Sequence, residues 1–157
     1  TAAHEENGTL RFEDLVPSEE LLTALTSHLD ERRVVGTRLV VEPPFYQGVT
    51  IVARLTARPR TDPDNLREAA LKALYLYFDP LLGGPDGTGW PFGRPVQAGE
   101  VYAVLQRLPA TELVEEVRLF AVDPLTSERG QQTDRIELEA NALIFSFGHQ
   151  VRATKGR

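Results

Sequence analysis

The chain has 157 residues, of which 41% are hydrophobic and 25% charged, the size and balance of one soluble globular domain able to bury a substantial core. Its net charge of −6 excludes a general nucleic-acid binder, which needs a basic stripe to neutralise phosphates. The absence of cysteine excludes a disulfide framework, a thiolate nucleophile and any cysteine-ligated metal.

Residues 1–14 read as a polar lead-in, too polar for a signal peptide. No apolar run approaches the roughly 18–20 residues of a membrane span, so membrane insertion is not expected. Methionine is absent and the first residue is Thr1, so the chain reads as a processed product or a piece of a longer protein. On that reading residues 1–14 link to a missing N-terminal part, and 15–154 form a single domain.

Pro17 and Ser18 followed by Glu19 and Glu20 start a helix, with acidic residues in its first turn. Leu21, Leu22, Leu25 and Leu29 repeat at helical spacing, and Arg32, Arg33 and Gly36 close the element, predicting a helix over 18–34. Thr37–Glu42 is a short β-type run ended by Pro43-Pro44. Val49, Ile51, Ala53, Leu55 and Ala57 then alternate with more polar neighbours, the clearest strand in the chain. Asp62 and Pro63 open a second helix, whose apolar face runs from Leu66 to Phe78 and which Asp79-Pro80 ends.

A stretch of unusual composition follows. Residues 83–95 hold five of the twelve glycines, three of the eleven prolines and the only tryptophan, so they form a stiff, turn-rich loop. Trp90 and Phe92 are large apolar side chains on it, and each must fold onto the core or be buried by another chain. Asp86 and Arg94 can pair as an internal brace. Beyond the loop, 99–108 predicts a short helix and 113–121 a long strand, with Leu113, Val117, Leu119 and Ala121 on one face. A polar turn region, 123–134, leads to Ile136-Glu137-Leu138 and a final strand-like stretch, 142–153.

This order predicts an α+β fold: a mixed or antiparallel sheet of about four strands, two to three helices on one face and a long Gly/Pro/Trp loop between helices. The connection from the 49–58 strand to the 112–122 strand is long enough for a parallel crossover.

Catalytic chemistry finds little support. The glycine spacing of the loop, Gly87-x-Gly89-x-x-x-Gly93, fits neither phosphate-binding fingerprint, and the loop follows a helix rather than a strand. His4, His28 and His149 lie far apart, with His28 placed on the wet side of its helix and His149 at a strand edge. Asp62-Pro63-Asp64-Asn65 reads as a helix cap rather than a calcium loop, and no serine lies in a nucleophile elbow. Strand alternation throws Glu115 and Glu116 to opposite faces, and Glu137 and Glu139 look solvated. No catalytic, cofactor-binding or metal-ligating residue is assigned.

The loop carries a resemblance. Gly84-Pro85-Asp86-Gly87-Thr88-Gly89-Trp90-Pro91-Phe92-Gly93-Arg94, then Glu100-Val101-Tyr102 and Val114-Glu115-Glu116-Val117-Arg118-Leu119, resembles the C-terminal portion of baseplate J-like proteins. These are wedge subunits of contractile phage tails and contractile injection systems. Glu31-Arg32-Arg33, Gly36-Thr37, Pro59 and Pro63 fit the same pattern, so the likeness spans roughly 15–153. It implies a structural protein without cofactor or enzymatic activity, assembled in the bacterial cytoplasm into a tail or injection particle. It also implies a second wedge subunit of the same or related chain as partner, with neighbouring baseplate, hub and sheath proteins around it. Asp86, Trp90, Phe92 and Arg94 would then form an interface or brace the loop. A small soluble enzyme or ligand-binding domain, with a pocket under the loop, is the other class the sequence leaves open.

Overall fold

A computed structural model describes residues 12–156. Of the polar lead-in, residues 1–11 lie outside the described part, and Phe12–Leu15 form a single helical turn, α1. The domain is α+β, with three longer helices and a mixed five-stranded sheet.

The sheet is built on β1, Phe45–Ala57, whose alternate residues Val49, Ile51, Ala53, Leu55 and Ala57 are buried as the period of two requires. On one side β1 pairs with β3, Thr111–Val122, and β3 pairs in turn with the edge strand β4, Arg129–Thr133. On its other side β1 pairs with two short strands in succession: β6, Ala142–Ser146, beside Phe45–Val49, and β7, Gln150–Lys155, beside Val52–Ala57. A minor ribbon joins β2, Val96–Gln97, to β5, Arg135–Ile136.

Helices α3, Pro63–Tyr77, and α4, Ala98–Gln106, cover the inner face, burying Leu66, Ala70, Leu74, Val101 and Leu105 against the odd-numbered residues of β1. Asp62 caps α3 by accepting from the Asp64 amide at 3.0 Å, with Pro63 at the first helical position. Behind the sheet, Phe12 and Leu15 of α1 pack with Phe145 and Tyr46 as a second small core.

Four expectations change. The helix α2 spans Glu19–Asp30, shorter than 18–34, because the chain after Glu31 turns away. Thr37–Glu42 forms no strand, since no neighbour is there to pair with it, and β1 starts at Phe45 rather than Val49. The β1/β3 pair is antiparallel; the parallel partners of β1 are β6 and β7, at the end of the chain. The fourth change lies inside β3. A bulge shifts its register between Arg54 and Leu55 of β1, so Arg54 faces Glu116 while Leu55 faces Val114. Val114 therefore turns inward and Leu113 outward, and Glu115 and Glu116 both reach Arg54, at 4.0 and 3.4 Å, instead of parting to opposite faces.

Between β6 and β7 the ladder on β1 is interrupted, and His149 fills the break. Its Nδ1 accepts from the Ile51 amide at 3.1 Å, which leaves Nε2–H to donate to the Ser146 hydroxyl at 3.0 Å. The strand-edge expectation thus holds in sequence, but the ring is buried, 9% exposed, beneath Tyr75 and Phe78. Burial lowers its pKa from 6.5 to about 3. An unfolded chain takes up this proton as pH falls below about 6.5, whereas the folded chain does not until about 3. Stability from the neutral ring is complete above the higher value and is lost progressively across that window, by up to about 1.4 kcal/mol per pH unit. Urea midpoints measured between pH 7 and 4 are expected to fall more steeply for the native chain than for His149→Gln; equal slopes would remove His149 as the acid-sensitive group.

Candidate functional site

The loop singled out by composition leaves the C-terminus of α3 and is shaped by its own backbone. Asp79 Oδ1 accepts from the amides of Leu81 and Leu82 at 2.7 and 2.8 Å, forming the first turn. Gly84 N–H donates back to the Tyr77 carbonyl at 2.8 Å, Gly89 N–H to Gly83 at 2.9 Å, and Trp90 N–H to Pro80 at 3.1 Å. The two limbs of the loop are therefore laced together. Gly84 holds φ +80°, and a Cβ there would run into the Gly89 carbonyl oxygen, so no other residue fits without a shift.

Trp90 and Phe92 separate. Trp90 is 3% exposed and lies in the main core, with its ring edge-on to Tyr77 at 5.6 Å and tilted on Phe78 at 5.7 Å. Its indole N–H donates to the Arg94 carbonyl at 3.0 Å, so the one polar atom of the ring is satisfied. Phe92 is 61% exposed. Of the two aromatic residues, Trp90 fixes the loop to its own subunit and Phe92 is displayed.

Arg94 closes the arrangement from above. Its guanidinium sits 4.9 Å from the centre of the Trp90 ring and holds the Glu100 carboxylate through both terminal nitrogens, Nη1 at 3.1 Å from Oε2. Glu100 stands in the first turn of α4, brought beside Arg94 by the short run Pro95–Gln97. The hydrogen bond to Glu100 raises the Arg94 pKa further, and burial followed by the Glu100 charge raises that of the Tyr77 hydroxyl. Asp86, expected as the brace partner of Arg94, is instead exposed in the turn between Gly84 and Gly87. Sequence reasoning missed Glu100, Tyr77 and Asp79. An acidic residue opening a helix directly after an Arg-Pro pair was the available signal for the first.

A small cavity lies at the end of α3, before the chain enters the loop. The space bounded by Tyr75, Phe78, Asp79, Pro80, Phe145 and Ser146 measures about 10 Å³, room for about one water. A separate cleft of about 660 Å³ shares no residue with the loop and is walled largely by apolar groups, among them Phe12, Val16, Pro43, Phe45 and Leu125. Its charged residues are Asp123, Glu128 and Arg129, and Asp123 is engaged in accepting from the Leu125 amide at 2.8 Å. No cluster of three metal-ligating side chains occurs among the described residues.

Helix α2 also exposes apolar groups. None of its twelve residues is buried, and Leu21, Leu25 and Leu29 are 50, 41 and 41% exposed. Beyond it Val34 and Val35 are also open to solvent. The sequence identified the helix but carried no sign that the described residues would leave Leu21, Leu25 and Leu29 open.

No family model matches the chain, and no curated protein matches it significantly.

Truncating the two loop aromatics should have unequal effects. Trp90→Ala is expected to cost about 3–5 kcal/mol of unfolding free energy, as for other buried large aromatics. Phe92→Ala is expected to stay within about 0.5 kcal/mol. Denaturant titration of both variants checks the difference, and comparable losses would contradict it.

Proposed function

We propose that this chain is a structural component of a baseplate wedge in a contractile phage tail or contractile injection system, acting through protein–protein contacts and not as an enzyme. The proposal rests on the resemblance of the Gly84–Arg94 motif and its flanking segments to baseplate J-like proteins. One structural observation supports it: the loop is locked by a buried tryptophan while displaying Phe92, which suits a docking element that loses little freedom on binding. Its partners in this reading are a second wedge subunit and the adjoining baseplate, hub and sheath proteins. Assembly takes place in the bacterial cytoplasm, without nucleic acid or membrane insertion. No helix among the described residues is long and apolar enough to cross a membrane.

The competing class, a small enzyme or ligand-binding domain, needs an enclosed pocket under the loop with converging polar groups. The Trp90 ring, seated against Tyr77 and Phe78, occupies the core side of the loop where such a pocket would open, which supports the structural reading.

Phe92→Glu introduced into the producing strain is expected to reduce assembled tail particles, counted by electron microscopy, while the purified variant keeps the native unfolding temperature. Normal particle numbers, or absence of the native chain from any tail-like particle, would overturn the proposal.

A further inference from the structure

Residues 18–42 leave the domain and return to it as an arm built on α2. Among the described residues, every hydrogen bond and ion pair of this segment stays within it. Ser18 accepts from the Leu21 amide at 3.2 Å and Arg33 donates to the Thr37 carbonyl at 2.9 Å, both contacts internal to the arm. A twelve-residue helix is about 18 Å long and marginal in water unless its apolar stripe is covered, yet Leu21, Leu25 and Leu29 stand open.

Both ends of the arm are set in the rim of the apolar cleft. Val16 and Pro17 line it where the arm departs, and Pro43 and Pro44 where it returns. The return segment, 31–42, has no regular structure, and it can span about 40 Å when extended, more than the length of the helix. The helix can therefore turn about Ser18 without pulling either end from the rim.

The walls of the cleft select the kind of occupant. Most of its polar groups are engaged within the chain. The Tyr46 hydroxyl donates to the Leu15 carbonyl at 3.2 Å, and the Gln47 amide to the Gly48 and Val122 carbonyls at 3.1 and 3.0 Å. Asp123 Oδ1 accepts from the Leu125 and Thr126 amides at 2.8 and 3.3 Å, and Arg129 lies over the Phe120 ring. What the cleft leaves open is mainly apolar, with Val16, Phe45 and Leu125 being 52, 64 and 80% exposed. Its volume of about 660 Å³ falls within the roughly 300–1,000 Å³ that encloses a drug-sized apolar body, room for the side chains of a short leucine stripe.

We propose that residues 18–42 are a strap with two positions: the open one of this structure, and a closed one in which α2 lies over the cleft and seats Leu21, Leu25 and Leu29 against Val16, Phe45 and Leu125. The occupant is attached at the rim, so its local concentration is on the order of millimolar, and it enters ahead of free apolar partners present at lower concentration. Closing removes both apolar surfaces from water in one movement. The closed strap hides the α2 stripe, and a partner that claims α2 must first open it. This inference stands on the strap and the cleft and does not depend on the tail-assembly reading.

The chain has no cysteine, so Thr26→Cys and Glu128→Cys place one spin label on α2, one at the cleft and none elsewhere. Pulsed paramagnetic resonance of the whole labelled chain, diluted into an excess of unlabelled chain, is expected to give two distances, the longer matching the open structure. Leu25→Glu on the helix side and Leu125→Glu on the cleft side, both exposed positions, should each abolish the shorter distance and keep the longer. A longer distance alone in the native chain overturns the inference. So does a shorter distance that survives both substitutions, or one that disappears on dilution with unlabelled chain, which would place the contact between copies.

Discussion

The shape of the Gly/Trp loop depends on one buried ring. A thirteen-residue stretch with five glycines and three prolines has few side chains with which to hold itself in place, and Trp90 supplies the anchor. Seated against Tyr77 and Phe78 at the end of α3, the indole removes a large apolar area from water and spends its only donor on the Arg94 carbonyl. Arg94 then lies over the ring and binds Glu100 at the start of α4, so two helices and the loop between them share one cluster. The backbone bonds from Gly84, Gly89 and Trp90 complete the frame. Phe92, two residues from the anchor, is held out from this frame as a fixed projection.

The loop and α2 expose apolar groups of different physical character. The loop is held rigid by its own core contacts and backbone bonds, the state in which a docking element would lose least entropy. The α2 stripe belongs to a helix none of whose residues is buried among the described residues. Elsewhere on the sheet the exposed groups are charged. Arg54, Glu115, Glu116 and Arg118 form a charged, partly exposed lattice across it, and the edge strand β4 is short and polar, a common guard against unwanted strand pairing.

Much of the fold was legible in the sequence where a local rule acts alone. The alternation from Val49 to Ala57 marked the central strand, and Asp62-Pro63 marked the start of α3 within a residue. What was hidden was set by contacts distant in sequence. The bulge that turns Val114 inward and Leu113 outward follows from pairing with β1, and nothing in the order Leu113-Val114-Glu115-Glu116 announces it. The same holds for His149, whose role as a plug between β6 and β7 needs Ile51, ninety-eight positions earlier in the chain. In the loop, composition gave rigidity but not direction. Trp90 and Phe92 are separated by a single proline, and which of them points to the core is decided by the turn at Gly84–Gly89 and the carbonyl that Arg94 presents.

The account stands on the loop being an extension of the core, and amide hydrogen exchange of the intact chain measures that directly. The amides of Gly84, Gly89 and Trp90 are expected to exchange in the slow class of β1, together with Ile51 and Leu55, because opening them requires withdrawing the tryptophan. Exchange of those three amides as fast as the exposed turn at 124–128, with β1 still protected, would show that the ring does not hold the loop and would contradict the account.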